Sequence, residues 1–345
     1  MNVTSALPPT ENITNSDDVH ILTTYVMRYI SFLIGAVGLT GNTFVVVVIM
    51  SALKMRKQLT NAYIINQSVI DGTISLFLIL TTIFEDDGRK YHTLGDEIFC
   101  KLWLTKIWLW GFFVTSSYNL LALTLERYLA VVHPIWHKLK MTKNKVAVSI
   151  VFVWFFGPVY NLAYMIPTAG ITQTGYCTVY SIWPNSLSQH AVGVLTIFIQ
   201  FFGPLFMLVF FYTRMIIVLR RRVAPEGSSN SNRESGGGTV QVRKSDSMAR
   251  ARKNILKTLA MVAFSFVFCW TWNQIYYLMF NLGLMTGDFT SVFYNFTVVM
   301  VFLNCCINPF IYIAKYEQFQ KTMKMLFCNK ETNVEETQLC NSSVE

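Results

Sequence analysis

Charge is scarce in this chain of 345 residues. Only 14% are Asp, Glu, Lys or Arg, against about a quarter in a soluble domain. With 53% apolar residues and a mean hydropathy of +0.40, that shortage excludes an ordinary water-soluble globule and points to a bilayer as solvent. Cysteine is sparse too. Seven residues are too few for a disulfide-stapled scaffold. Residues 1–24 have no basic start and no apolar stretch, so no cleavable signal peptide is expected. The first apolar run is expected to serve as its own insertion signal. The five histidines fall in tails, loops or span ends. His133 and His137 are four apart, but Pro134 between them argues against a shared helical metal face. No nucleophile, metal set or acid–base pair stands out, so the chain is not expected to be an enzyme.

What is present is length in the apolar runs. A helix of about 20 apolar residues crosses a bilayer. Seven such runs occur: Tyr29–Leu53, Ala62–Phe84, Phe99–Val132, Val146–Ile166, Ala191–Leu219, Ile255–Leu282 and Val292–Ala314. The fold class is therefore an all-α membrane protein, a seven-transmembrane helix bundle. The third run is too long to lie wholly in lipid and should tilt and protrude. Residues 1–28 are expected to form an extracellular tail, residues 29–314 the bundle and residues 329–345 a disordered cytoplasmic tail. The longest polar interruption, residues 220–254, is rich in Gly, Ser and Asn. It is expected to be a flexible cytoplasmic loop whose basic ends suit anionic lipid.

Orientation follows from the basic residues. With the N-terminus outside, the outer segments hold five Lys and Arg against nine acids, and the inner segments 23 against nine. This is the positive-inside pattern. The surplus of +9 thus reflects topology rather than a nucleic-acid partner. Two glycosylation sequons, at Asn2 and Asn12, lie in the same outer tail. The expected location is the plasma membrane, multi-pass, with the N-terminus extracellular.

Polar residues inside the spans are costly and mark function. Asp71 is the one acid deep in a span. Ser116, Asn304 and Asn308 could join it, and Asn304 and Asn308 share one helical face. Together they offer oxygen ligands to a small hard cation such as Na⁺. The alternative is hydrogen bonding between helices with no ion. Glu126-Arg127-Tyr128 ends the third span. There Arg127 either snorkels to the interface or projects from a buried helix. Pro309 in the seventh span removes a backbone donor, and Asn308 is expected to bond the freed backbone group.

These residues resemble the rhodopsin-like (class A) family of G protein-coupled receptors. The matching motifs are Gly41-Asn42, Asp71, Cys100 with Trp103, Glu126-Arg127-Tyr128 with His133-Pro134, and Trp154. They continue with Pro204 and Tyr212, Phe266 with Cys269-Trp270, and Asn308-Pro309-x-x-Tyr312. The run from Leu123 to Pro134 is similar to receptors of the somatostatin and galanin type. The resemblance implies a Cys100–Cys177 disulfide and a toggle of Phe266 and Trp270. It also implies a coupling switch of Glu126, Arg127, Tyr128, Ile135, Tyr212 and Tyr312. It makes Asp71 with Na⁺ an allosteric site, with no other cofactor. It implies a short amphipathic membrane-surface helix over residues 315–328 with palmitoylation at Cys328. A heterotrimeric G protein, arrestin and receptor kinases would be partners.

Two departures stand out. The proline expected two residues after Trp270 is Trp272, and the interval from Cys100 to Arg127 is about two residues longer than the family norm. The sixth span also begins beside Arg250, Arg252 and Lys253, with no acid for Arg127. The Glu126–Arg127 pair alone is therefore expected to hold the inactive state, with appreciable ligand-free signalling.

The ligand can be narrowed. Amine receptors carry an acid in the upper third helix, but Leu104–Ser116 holds only Lys106. Opsins need a lysine in the seventh helix, and Val292–Ala314 has none. A peptide, such as a neuropeptide, is the expected ligand; a non-peptide small molecule is the alternative. A seven-helix channel or transporter would need a line of polar residues that Asp71 alone does not supply. Trp110, Phe113, Asn273, Gln274 and Tyr277 are candidate pocket residues. Core packing is the competing reading for the aromatics. The acids Glu85, Asp86, Asp87, Asp96 and Glu97 are expected to form an outer rim that attracts a basic peptide.

Overall fold

The computed structural model describes residues 11–84, 89–179, 182–223, 238–285, 287 and 291–328. Seven helical stretches in it are long and apolar enough to span a membrane. They are Leu22–Ser51, Leu59–Ile83, Leu94–Val132, Lys143–Thr168, Ser186–Arg221, Asn254–Asn281 and Val292–Lys315. Each expected span is found. Most bounds agree within a few residues.

The first span belongs to α1 (Glu11–Ser51), and a short α2 (Leu53–Arg56) follows it. The expected tail is thus helical from Glu11 onward: residues 11–34 contain neither glycine nor proline to break it. The second span is α3 (Leu59–Ile83). The third is interrupted. It runs through α4 (Leu94–Phe99), a π-helical turn (Cys100–Leu104) and α5 (Ile107–Val132). A short α6 (Pro134–Lys140) leads to the fourth span, α7 (Lys143–Thr168). The fifth is α8 (Ser186–Ile197), a second π turn (Phe198–Phe202) and α9 (Gly203–Val223). The sixth lies in α10 (Gly238–Asn281), the seventh in α11 (Val292–Lys315), and α12 (Glu317–Cys328) follows.

The long Cys100–Arg127 interval has a physical explanation. A π turn holds more residues per hydrogen-bonded ring than an α turn. Lys106 then resets the chain at φ 55°, the one non-glycine residue with positive φ among the described residues. The extra residues are absorbed there, above α5, whose register toward Arg127 is regular. The expected flexible loop 220–254 is helical at both of its described ends. Helix α9 reaches Val223 and α10 begins at Gly238, so the backbone is helical on both sides of residues 224–237, which lie outside the described residues. Asn2 and residues 329–345 lie outside them as well, and Asn12 is the second residue of α1.

Helix α1 packs on α3 and α11, α3 on α5, α5 on α7 and α9, and α10 on α11. The α5–α7 contact depends on two glycines. A Cβ on Gly157 would overlap Thr115 and the Gly111 carbonyl. In a bilayer such small residues let helix backbones approach. The opposite face of α7 exposes Val148, Val151, Phe152, Phe155 and Val159, the face expected to meet lipid. Gly157→Val should therefore cost about 1–3 kcal/mol by overpacking, seen as a lower thermal midpoint and less protein at the cell surface. Val148→Leu should leave both unchanged.

Pro309 shows how the bundle closes a gap in its own hydrogen bonding. Its missing N–H would have reached the Cys305 carbonyl. The Asn42 Nδ2 donates to that carbonyl from α1 at 2.8 Å. The expectation that Asn308 fills this role is corrected: its Nδ2 donates to Asp71 Oδ2 at 2.8 Å, because Asn308 faces the bundle axis.

Candidate functional site

Three layers of polar residues are stacked along the bundle. The outer layer is tied by the Cys100–Cys177 disulfide, with Cα atoms 5.5 Å apart. Cys100 sits in the π turn. Cys177 sits on β2 (Cys177–Thr178), which pairs antiparallel with β1 (Gly170–Ile171). Two chambers with shared wall residues lie in the same half of the bundle. The deeper one, about 60 Å³, is walled by Trp110, Gln200, Asn273, Gln274, Tyr277 and Tyr294. The outer one, about 420 Å³, shares Trp110 and Tyr294 and adds Arg28, Thr82, Lys106 and Phe302.

Four expected pocket residues, Trp110, Asn273, Gln274 and Tyr277, line the deeper chamber. Phe113 does not line either chamber. It is fully buried, stacked on Phe302 at 6.0 Å and edge-on to Trp270 at 5.8 Å. It packs among the aromatic rings at the base of the chambers. Gln274 Oε1 and Trp270 Nε1 are buried without a hydrogen-bond partner, and each such atom is costly unless a ligand or its own movement satisfies it. Phe266 packs on Trp270 at 5.7 Å and on Phe201 at 6.3 Å. Trp272 lies on the outer side of α10, edge-on to Phe268 and to Phe296 of α11.

Sequence reasoning missed Gln200, Tyr164 and Tyr294 as lining residues. Tyr164 and Tyr277 pair through their hydroxyls. Tyr164 and Gln200 follow no motif, so only the meeting of α7, α8–α9 and α10 reveals them.

The middle layer surrounds Asp71, which is fully buried. Ser116 Oγ donates to Oδ1 at 2.8 Å and Asn308 Nδ2 to Oδ2 at 2.8 Å. Gln67, one helical turn earlier on α3, places Nε2 at 3.0 and 3.1 Å from the two oxygens. Ser116 and Asn308 are thus brought to Asp71. Asn304 is buried on the same helix as Asn308. Gln67 was not singled out from the sequence. The donor set is a poor fit to a cation, since N–H and O–H groups already converge on both carboxylate oxygens.

The inner layer is built on Glu126, which is fully buried. Arg127 grips it with two charge-assisted bonds, Nε to Oε2 at 2.6 Å and a terminal nitrogen to Oε1 at 2.7 Å. Two further groups hold the carboxylate. His137 Nε2 lies 2.9 Å from Oε1, and Thr60 Oγ1 donates to Oε2 at 3.2 Å. The expectation that Glu126 and Arg127 stand alone is therefore corrected, because α6 and α3 both close on the same acid.

Beside this cluster opens a cavity of about 600 Å³, lined by Leu59, Arg127, Val131, Ile135, Lys138 and Leu256 among others. Ile135 is 76% exposed. Tyr128 packs on Phe211, and Tyr212 lies against a buried cluster of Val131, Met215 and Leu256. Tyr312 is fully buried, its hydroxyl without a hydrogen-bond partner. Helix α12 docks through buried Phe319, with Tyr316 just before it also buried, while Lys321 and Lys324 stay exposed. Tyr316 donates to Asn61 at 2.8 Å. Cys328 is the last residue of α12.

The profile described as "7 transmembrane receptor (rhodopsin family)" matches residues 41–312. The somatostatin receptor type 2 of Mus musculus is 25% identical over 313 residues, covering 88% of this chain and 77% of that receptor. The somatostatin receptor type 5 of Bos taurus is 28% identical over 309 residues, 88% and 76% of the two chains. The allatostatin-A receptor of Bombyx mori is 27% identical over 302 residues, 86% and 78%.

Proposed function

The chain belongs to the rhodopsin family of seven-transmembrane receptors, and from that premise we propose that an extracellular peptide controls its coupling to a heterotrimeric G protein. It is a multi-pass membrane receptor, not an enzyme. The relatives named for somatostatin and allatostatin support a peptide ligand. The observation that carries the reading is the pair of cavities at opposite ends of one bundle. One is lined by amides and phenols, the other by Arg127 and exposed Ile135.

Mechanistically the receptor is a two-state switch. A ligand favours the open state only by binding it better. In the deeper chamber a peptide backbone would satisfy Gln274 Oε1, one turn above Trp270. Movement of Trp270 against Phe113 and Phe266 would pass to α10. At its inner end α10 packs through Leu256 on Val131 and Met215. Opening that contact frees Arg127 from Glu126, lets Tyr212 and Tyr312 rearrange, and presents Ile135 to a G protein helix. The same reading places the N-terminus outside the cell and the receptor in the plasma membrane. Glycosylation at Asn2 and Asn12, palmitoylation at Cys328, and arrestin and receptor kinases as further partners belong to this proposal. So does the division into a tail, a bundle with its inner loop, a membrane-surface helix and a cytoplasmic tail.

Arg28 and Lys106, both half-buried, line the outer chamber. Of the expected acidic rim, Asp96 closes the capping box of α4 and Glu97 pairs with Lys101 at 2.9 Å. Glu85, Asp86 and Asp87 lie outside the described residues.

A further inference from the structure

A hydrogen-bonded relay runs from the fourth span to Asp71, and its direction is fixed at the Trp154 end. Trp154 Nε1 donates to Asn66 Oδ1 at 2.8 Å. Asn66 Nδ2 donates to Asn119 Oδ1 at 2.8 Å. Asn119 Nδ2 donates to Gln67 Oε1 at 2.8 Å and to the Tyr63 carbonyl at 3.2 Å. Gln67 Nε2 then faces both oxygens of Asp71 and Ser116 Oγ, at 3.0, 3.1 and 2.5 Å. Asn66, Gln67, Asp71, Ser116 and Asn119 are all buried.

An amide can be turned end for end without changing its shape, so its orientation follows from its neighbours. Here the neighbours decide. An indole N–H only donates. From that end each amide has one consistent orientation, with oxygen toward Trp154 and nitrogen toward Asp71. The Gln67 nitrogen stands nearly equidistant from Oδ1 and Oδ2, the position a bidentate cation would take. A hard cation needs oxygen ligands around it. At Asp71 it would meet the N–H groups of Gln67 and Asn308 instead. Turning Gln67 to offer Oε1 would point its nitrogen at the Asn119 nitrogen. Reversing Asn119 and Asn66 in turn would leave Trp154 Nε1 facing another donor. Admitting the ion therefore requires breaking the relay, not rotating one side chain.

We propose that the Gln67 amide takes the place of the cation at Asp71, so that the centre of this receptor is a closed relay working without bound sodium. Of the two readings open at the level of sequence, a cation site or ion-free hydrogen bonding, the relay selects the second. Three donors, from α3, α5 and α11, converge on the Asp71 carboxyl oxygens. The relay couples those three helices to α7 through Trp154, so the inactive packing is set by fixed side chains rather than by the sodium gradient across the membrane.

The test needs neither ligand nor G protein, so it stands apart from the peptide reading. The full chain, purified into lipid nanodiscs, is unfolded thermally in NaCl, KCl and choline chloride at equal ionic strength. The wild-type midpoint is expected to be the same in all three salts. Gln67→Ala, which removes the amide and opens space beside Asp71, is expected to gain a midpoint higher in NaCl than in the other two. A sodium-specific rise in the wild type would overturn the proposal. So would a folded Gln67→Ala protein with no sodium-specific rise, since Gln67 would then not be what excludes the ion. If Gln67→Ala does not fold, sodium-23 line broadening by the wild-type protein decides. No broadening beyond that of Asp71→Asn is expected, and excess broadening refutes the relay.

Discussion

Arg127→Ala is expected to abolish peptide-driven G protein activation while the receptor still reaches the cell surface. Arg127 both grips buried Glu126 and lines the cavity beside it. In the proposed open state its guanidinium would form the floor of the G protein site. Loss of even one charge-assisted hydrogen bond there, about 1.5–3 kcal/mol, lowers coupling by tenfold or more. The substitution leaves Glu126 with Thr60 and His137, so the fold retains partners for the acid. Arg127→Lys should recover only part of the signal, because lysine keeps the charge without the two-pronged fork. The check is G protein dissociation normalised to surface receptor. Full activation by Arg127→Ala would remove the proposed mechanism.

Glu126→Gln is expected to act in the opposite direction, raising ligand-free signalling about tenfold. Glu126 holds Arg127 through two short bonds and is itself held from α3 and α6. Neutralising it weakens charge-assisted bonds by about 1.5 kcal/mol or more, which shifts a two-state equilibrium about tenfold. His137→Ala should raise basal output in the same direction but less, since it removes one partner of Glu126 and leaves the Arg127 pair intact. The lack of an acid in the sixth span had pointed to high basal activity. Thr60 and His137 supply the missing restraint, so the wild-type basal output should lie well below that of Glu126→Gln. Equal basal signalling in the two proteins would show that the cluster is not the lock.

The architecture was readable because lipid imposes it. Seven apolar runs and an uneven distribution of lysine and arginine leave few other arrangements. The motif residues were equally legible, since Asp71, Arg127 and Pro309 are costly inside a membrane and stand out in an apolar background. What stayed hidden was direction. Asn308 was expected to repair the gap left by Pro309. Asn42, on a helix far away in sequence, does so, because α1 packs against α11 at Cys305. Gln67 belongs to no motif, and only the fold shows its amide standing between both oxygens of Asp71. Phe113 shares a helical face with Trp110, yet one turn of depth separates chamber wall from core. Lys106 was noted as a charge. Its left-handed backbone, which absorbs the long Cys100–Arg127 interval, has no signature in the sequence.

Cells expressing the wild-type chain, exposed to a panel of neuropeptides with G protein dissociation recorded across G protein classes, test the central claim most directly. The account predicts a saturable response to particular peptides that disappears in Arg127→Ala at matched surface expression. A peptide response that persists in Arg127→Ala, or an ion conductance without any ligand, would contradict it.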